Sequence, residues 1–155
     1  MNIQEKEETK IMGIAIRTSN EDQQAAIDIP RLWERFFSEN IAEKIPSKID
    51  SAIYSVYTDY ERDYTRPYTC ILGCRVSNLD NIPEGMTGKV IEGGKFAAFT
   101  AKGNLNEGAV FNKWTEIWNA DLPRAYTADL EVYGERALNP EVAEVDIFIA
   151  LEEQD

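Results

Sequence analysis

The segment AYTADLEVYGER sets the acid Glu131 within a run of strand-forming residues, flanked by Leu130, Val132 and Tyr133 with Tyr126 upstream. A carboxylate on a half-buried strand is costly unless it is paired, hydrogen-bonded or held for a positive ligand. The chain has 28 acidic residues against 16 Lys and Arg, no histidine, and a net charge of -12. These features together predict a pocket for cationic or polar aromatic molecules, with Glu131 as its anchoring charge.

The missing histidine excludes a Ser-His-Asp triad, a Cys-His pair and any His-bearing metal site. No cofactor or metal is expected. Gly93-Gly94 and Gly85-x-x-Gly88 match neither a phosphate loop nor a dinucleotide fingerprint and read as turns. The run from Thr58 to Tyr64 lacks the calcium-loop pattern, and Arg62 and Arg66 stand ready to neutralise its acids, so it reads as a solvated hairpin loop. Cys70 and Cys74, about 13 Å apart along one strand, cannot bond to each other and read as reduced thiols. The acidic balance argues against direct nucleic-acid binding. No apolar run approaches the roughly 20 residues of a membrane span, and MNIQEKEETK is no secretory leader, so a cytoplasmic location is expected.

Two helices must position the site. Ile29, Leu32, Trp33, Phe36, Phe37 and Ile41 recur at helical spacing, with Asp28 placed to cap, Pro30 suited to a first turn and Pro46 closing the segment. Val110, Phe111, Trp114, Ile117 and Trp118 form a second stripe that ends before Pro123. Strands are expected over 11–18, 53–60, 68–76, 89–102, 127–134 and 145–151, the fourth either bulged or broken at Gly93-Gly94. Strand-helix-strand-strand then occurs twice about the loop 77–88. YSVY (Tyr54–Tyr57) parallels LEVY (Leu130–Tyr133), and Trp33 with Phe37 parallels Trp114 with Trp118. In that register Ser55 stands where the second half has Glu131. The short identity is open to a chance reading as well as to duplication.

The segments VYTDYERDYTRPYTCILGCRV, GGKFAAFTAKG, VFNKWTEIWNADLPRAYTADLEVYGER and AEVDIFIALEE resemble the GyrI-like, AraC-type effector-binding domain family, and most of all its stand-alone, integron-associated members. The resemblance runs from about Ile11 to Glu152. It implies an α+β fold: tandem β-α-β-β modules with pseudo-twofold symmetry, an antiparallel sheet, two main helices and a central ligand cleft. One effector-binding domain over 1–155 is expected, with modules at about 11–77 and 88–152. It also implies recognition of small molecules, often lipophilic cations, in an aromatic cleft with a strand-borne glutamate that maps onto Glu131. Relatives often carry a helix-turn-helix unit; with about ten residues ahead of the first strand, none is expected here.

Each candidate has a blander reading. Alternation alone makes the face of Asp129, Glu131 and Tyr133 the wet side of a sheet, whereas the resemblance turns it into a cleft wall. Tyr57 and Tyr133, at matching positions, fit half-buried packing or pocket walls. Trp33, Phe37, Trp114 and Trp118 fit a core; Trp114 is the first choice to line the groove, and Phe148 a fourth wall. The expected ligand is a cationic aromatic small molecule, sensed or sequestered, with any protein partner unidentified. Two alternatives stand beside it: a hydrolase of electrophilic cyclopropane-type natural products with Glu131 as general base, and a gyrase-inhibitor-like interaction protein.

Overall fold

A computed structural model describes residues 2–152. Eight strands form one antiparallel sheet: β1 (Asn2–Lys6), β2 (Thr9–Thr18), β3 (Ile53–Thr58), β4 (Tyr68–Val76), β5 (Thr87–Ile91), β6 (Gly94–Gly103), β7 (Arg124–Tyr133) and β8 (Ala143–Leu151). The helices are α1 (Gln24–Ser38), the single turn α2 (Ile41–Lys44) and α3 (Ala109–Asn119). Across the sheet the order is β1-β6-β8-β7-β3-β4-β2-β5, so the trios β7-β8-β6 and β3-β4-β2 meet at the central β3–β7 pairing. This is the expected α+β fold, and the order reads the same from either end once the halves are exchanged.

The connections force the sheet to curl. β1 and β2 lie six strand positions apart in the order yet are joined through only Glu7 and Glu8. Two residues span about 10 Å, whereas six flat strand spacings span about 29 Å. β5 and β6 repeat the problem, joined through Glu92 and Gly93. The solution is one long bent ribbon: paired residue numbers add up to 100 in both β1–β6 and β2–β5. The break expected near Gly93-Gly94 is this corner. A Cβ on Gly93 would lie 2.6 Å from the Lys6 carbonyl oxygen, so glycine lets the two chains touch there. β1 itself was absent from the expected strands; NIQEK is polar and mostly exposed, and only its pairing with β6 makes it a strand.

Two apolar layers result. Under the helices, Leu32 and Phe36 of α1 and Ile117 of α3 pack on Met12, Ile14, Leu72, Val145 and Ile147. Each such side chain contributes about 1.5–3 kcal/mol. On the other face Ile11, Val56, Ile71 and Leu130 are buried with no helix over them, which the curl alone allows.

The first helix departs from expectation. It begins at Gln24, after Gln23 at φ 58°, and Pro30 is its seventh residue instead of lying in the first turn. Asp28 is inside the helix, accepting from Thr18 Oγ1 and Gln24 Nε2 at 2.9 Å each, and does not cap it. Pro30 leaves the Ala26 carbonyl without its helical donor. Ile41 belongs to the separate turn α2, because Asn40 at φ 52° ends the first helix's path. Both cysteines are buried and free.

Candidate functional site

β7 alternates, and its polar side faces the helices. Asp129 is 0% and Glu131 2% exposed, so this face is the covered one and not the wet side that alternation alone allowed. Glu131 pairs across to Ser55, the residue at its own position in the other half. The pseudo-twofold axis therefore passes between these two residues.

Three neutral donors converge on the Glu131 carboxylate. Tyr57 hydroxyl donates to Oε2 at 2.9 Å and Trp114 Nε1 to the same oxygen at 2.6 Å, while Tyr133 hydroxyl donates to Oε1 at 2.6 Å. Among the described residues no cation pairs with it. Burial holds its pKa above the usual carboxylate value, and the three donors pull in the opposite direction. The same burial pushes the Tyr57 and Tyr133 phenols far up, so both remain donors at neutral pH.

The ring packing follows the pseudo-symmetry. Trp114 of the second half stands edge-on to Tyr57 of the first, centroids 5.5 Å apart at 86°. Trp33 of the first half stands edge-on to Tyr133 of the second, 4.8 Å apart at 75°. Each tryptophan thus braces the opposite half's tyrosine. Between α1, α3 and the sheet lies a cleft of about 680 Å³, walled mainly by aromatic rings. Glu131, Tyr57, Tyr133, Trp33, Trp114 and Trp118 all line it.

Two sequence candidates fall elsewhere. Phe37 is 59% exposed; it touches Trp33 and Phe36 but sits one turn past Trp33, beyond the end of the cleft. Phe148 pairs directly with Leu130, so it shares Leu130's face and points away from Glu131. Its ring there lies under Lys6, with Nζ 4.0 Å from the centroid. A smaller hollow of about 390 Å³ beside Phe148 mixes Lys6 and Arg75 with Glu5, Glu7 and Asp146, and holds no buried acid.

The sequence reading missed several contributors. Tyr60 and Tyr64 come from the segment read as a solvated hairpin, and both line the cleft; Tyr64 stacks on Trp118 at 5.7 Å and 12°. Arg66, just past that segment, does pair with Glu21 and Glu61. Arg124, at the start of β7, lies in the cleft wall and pairs with the buried Asp129. Three tyrosines in eight residues, at 57, 60 and 64, were the available signal.

Comparison with known proteins bears on this arrangement. The family described as Cass2, integron-associated effector binding protein, matches residues 2–151. The chain belongs to the Cass2 family. An integron cassette protein from the mobile metagenome of Vibrio cholerae is 30% identical, with a TM-score of 0.78 over 97% of this chain and 95% of that one. A protein solved bound to tetraphenylphosphonium has the same fold at 17% identity, with a TM-score of 0.78 over 97% of this chain and 93% of that one. YobU of Bacillus subtilis (strain 168) is 36% identical over 58 residues, 36% of each chain, so the match spans about a third of that relative's length. Cass2 membership bears out the resemblance to GyrI-like effector-binding domains, and it supports small-molecule binding. No helix among the described residues is long and apolar enough to cross a membrane.

Proposed function

We propose that this Cass2-family protein binds lipophilic organic cations in the aromatic cleft, sensing or sequestering them, with Glu131 as the electrostatic anchor. One observation carries the reading: a buried carboxylate, held by three neutral donors and paired with no cation among the described residues, at the wall of a ring-lined cleft. Tetraphenylphosphonium in a protein of the same fold supports it.

The magnitudes suffice. A cation about 4 Å from the carboxylate gains roughly 4 kcal/mol of gross Coulomb attraction at an effective dielectric of 20. Each ring face adds about 0.5–2 kcal/mol. Desolvation subtracts from these gains, and a micromolar ligand needs about 8 kcal/mol in all. Apolar burial in the cleft supplies the remainder.

The hydrogen-bond arrangement narrows the ligand further. Tyr57, Tyr133 and Trp114 take three of the carboxylate's roughly four acceptor sites, so an ammonium with several N–H groups would find few acceptors left there. A quaternary or phosphonium cation asks for no acceptor and suits the site better. Titration of the three tryptophans' fluorescence with tetraphenylphosphonium tests this. Saturable quenching supports the reading, and a flat response to that cation and to other quaternary dyes removes it. Turnover of an activated cyclopropane substrate, lost in Glu131→Gln, would place the protein among hydrolases instead.

A further inference from the structure

The same cleft contains a second polar station with an unmatched donor set. Arg124 is 4% and Asp129 0% exposed, and Arg124 Nη2 lies 2.8 Å from Asp129 Oδ2. Both oxygens of the carboxylate are engaged: Oδ2 also accepts from the Tyr60 hydroxyl at 2.5 Å, and Oδ1 accepts from the Ala150 amide at 3.0 Å. The guanidinium is engaged only in part. Its Nε and Nη1 are buried and have no hydrogen-bond partner among the described residues. Arginine is always charged, and its fork of N–H groups has fixed directions, so these donors cannot be turned elsewhere or neutralised.

What surrounds them is aromatic. The Tyr126 ring lies 4.4 Å from the guanidinium carbon, with Tyr64 at 5.7 Å and Trp114 at 6.0 Å. Ring faces attract the charge but leave the N–H groups without an oxygen. Tyr126 stands on the β7 bulge between Arg124 and Asp129, at φ 56°, a conformation a bulky residue seldom adopts. Its ring lies across the guanidinium.

We propose that the Arg124 end of the cleft is an acceptor subsite, and that the ligand is an organic cation bearing a neutral carbonyl or ether oxygen some distance from its charge. A neutral oxygen fits better than a carboxylate, because Asp129 already balances Arg124 and Glu131 would repel a second anion. The inference rests on the reading of the cleft as a cation site. It adds a second recognition element at the opposite polarity: Glu131 selects the charge, and Arg124 selects where along the molecule an oxygen must lie.

The test uses two phosphonium probes, hexyltriphenylphosphonium and (5-oxohexyl)triphenylphosphonium, on the full chain. Arg124→Lys keeps a cation beside Asp129 while removing the fork. It is expected to weaken the oxo probe roughly tenfold, the scale of one hydrogen bond to a charged donor, and the hexyl probe far less. The Arg124→Met/Asp129→Leu double variant removes the whole pair at once, which avoids stranding a buried charge, and should show the same preference. In the wild-type protein the Arg124 Nε–H resonance should move with the oxo probe and not with the hexyl probe. Equal losses for both probes, or an unmoved resonance, would mean that a buried water satisfies the fork, and would overturn the subsite. Failure of the wild type to bind either probe would instead overturn the cleft reading on which it rests.

Discussion

Ser55 and Glu131 face each other in the antiparallel pairing of β3 with β7, at equivalent positions of the two halves. The fold is nearly symmetric about them, but the charge is not. Tyr57 and Tyr133, also equivalent, both turn their hydroxyls to the one carboxylate. A symmetric frame thus delivers donors from both halves to a single acid.

The charge itself gives the first prediction. Glu131→Gln keeps the shape and one acceptor oxygen while removing the negative charge. Affinity for tetraphenylphosphonium should fall about 10- to 100-fold, equivalent to about 1.4–2.7 kcal/mol. A neutral tetraphenyl analogue should lose far less. Fluorescence titration of both ligands decides it; matching losses would sink the electrostatic role.

Proton linkage gives the second. Burial raises Glu131 above its unfolded value of 4.5, so from that pH upward the folded state binds more protons than the unfolded one. Stability of the free protein should therefore decline as pH rises from about 4.5 through the folded pKa, and level off beyond it. Asp129 is shifted the same way from 3.8 and adds to the slope. Ligand affinity should run in the opposite direction, strengthening as pH rises and the carboxylate ionises. Calorimetric titrations in buffers of different ionisation enthalpy should register proton release on binding below the folded pKa.

The donors are unequal. Oε2 accepts from Tyr57 and Trp114, whereas Oε1 accepts from Tyr133 alone among the described residues. Tyr133→Phe should cost about 1–3 kcal/mol of stability in urea at neutral pH, and Tyr57→Phe less, since Trp114 remains. Both penalties should shrink in acid, where a protonated carboxyl needs fewer donors. A larger penalty for Tyr57→Phe would contradict the assignment.

Backbone contact gives a fourth prediction. Gly13 and Gly73 are direct partners in β2–β4, and added Cβ atoms would lie 2.1 Å from the Leu72 carbonyl oxygen and 2.0 Å from that of Met12. Neither neighbour is a side chain that can swing away. Gly73→Ala should destabilise by more than about 3 kcal/mol, as severe backbone clashes do, and lower the thermal midpoint accordingly. A variant of unchanged stability would show that the strands do not approach this closely.

Sequence alone determined most of the elements and suggested their repetition. Helical spacing marked the Trp33 and Trp114 stripes, runs of β-branched and aromatic residues marked β2, β3, β4, β7 and β8, and the YSVY and LEVY blocks put Ser55 at the position equivalent to Glu131. These are local signals, written in neighbours a few residues apart. Tertiary structure alone decided which sheet face the helices cover. That choice buries Glu131 and Asp129 and sends Phe148 to the opposite side through its pairing with Leu130. It also drew Tyr60, Tyr64 and Arg124 into the cleft, and made a strand of polar NIQEK through the bent ribbon. The physical reason is that alternation separates two faces without naming the inner one. Burial is assigned only when segments distant in sequence close over one side.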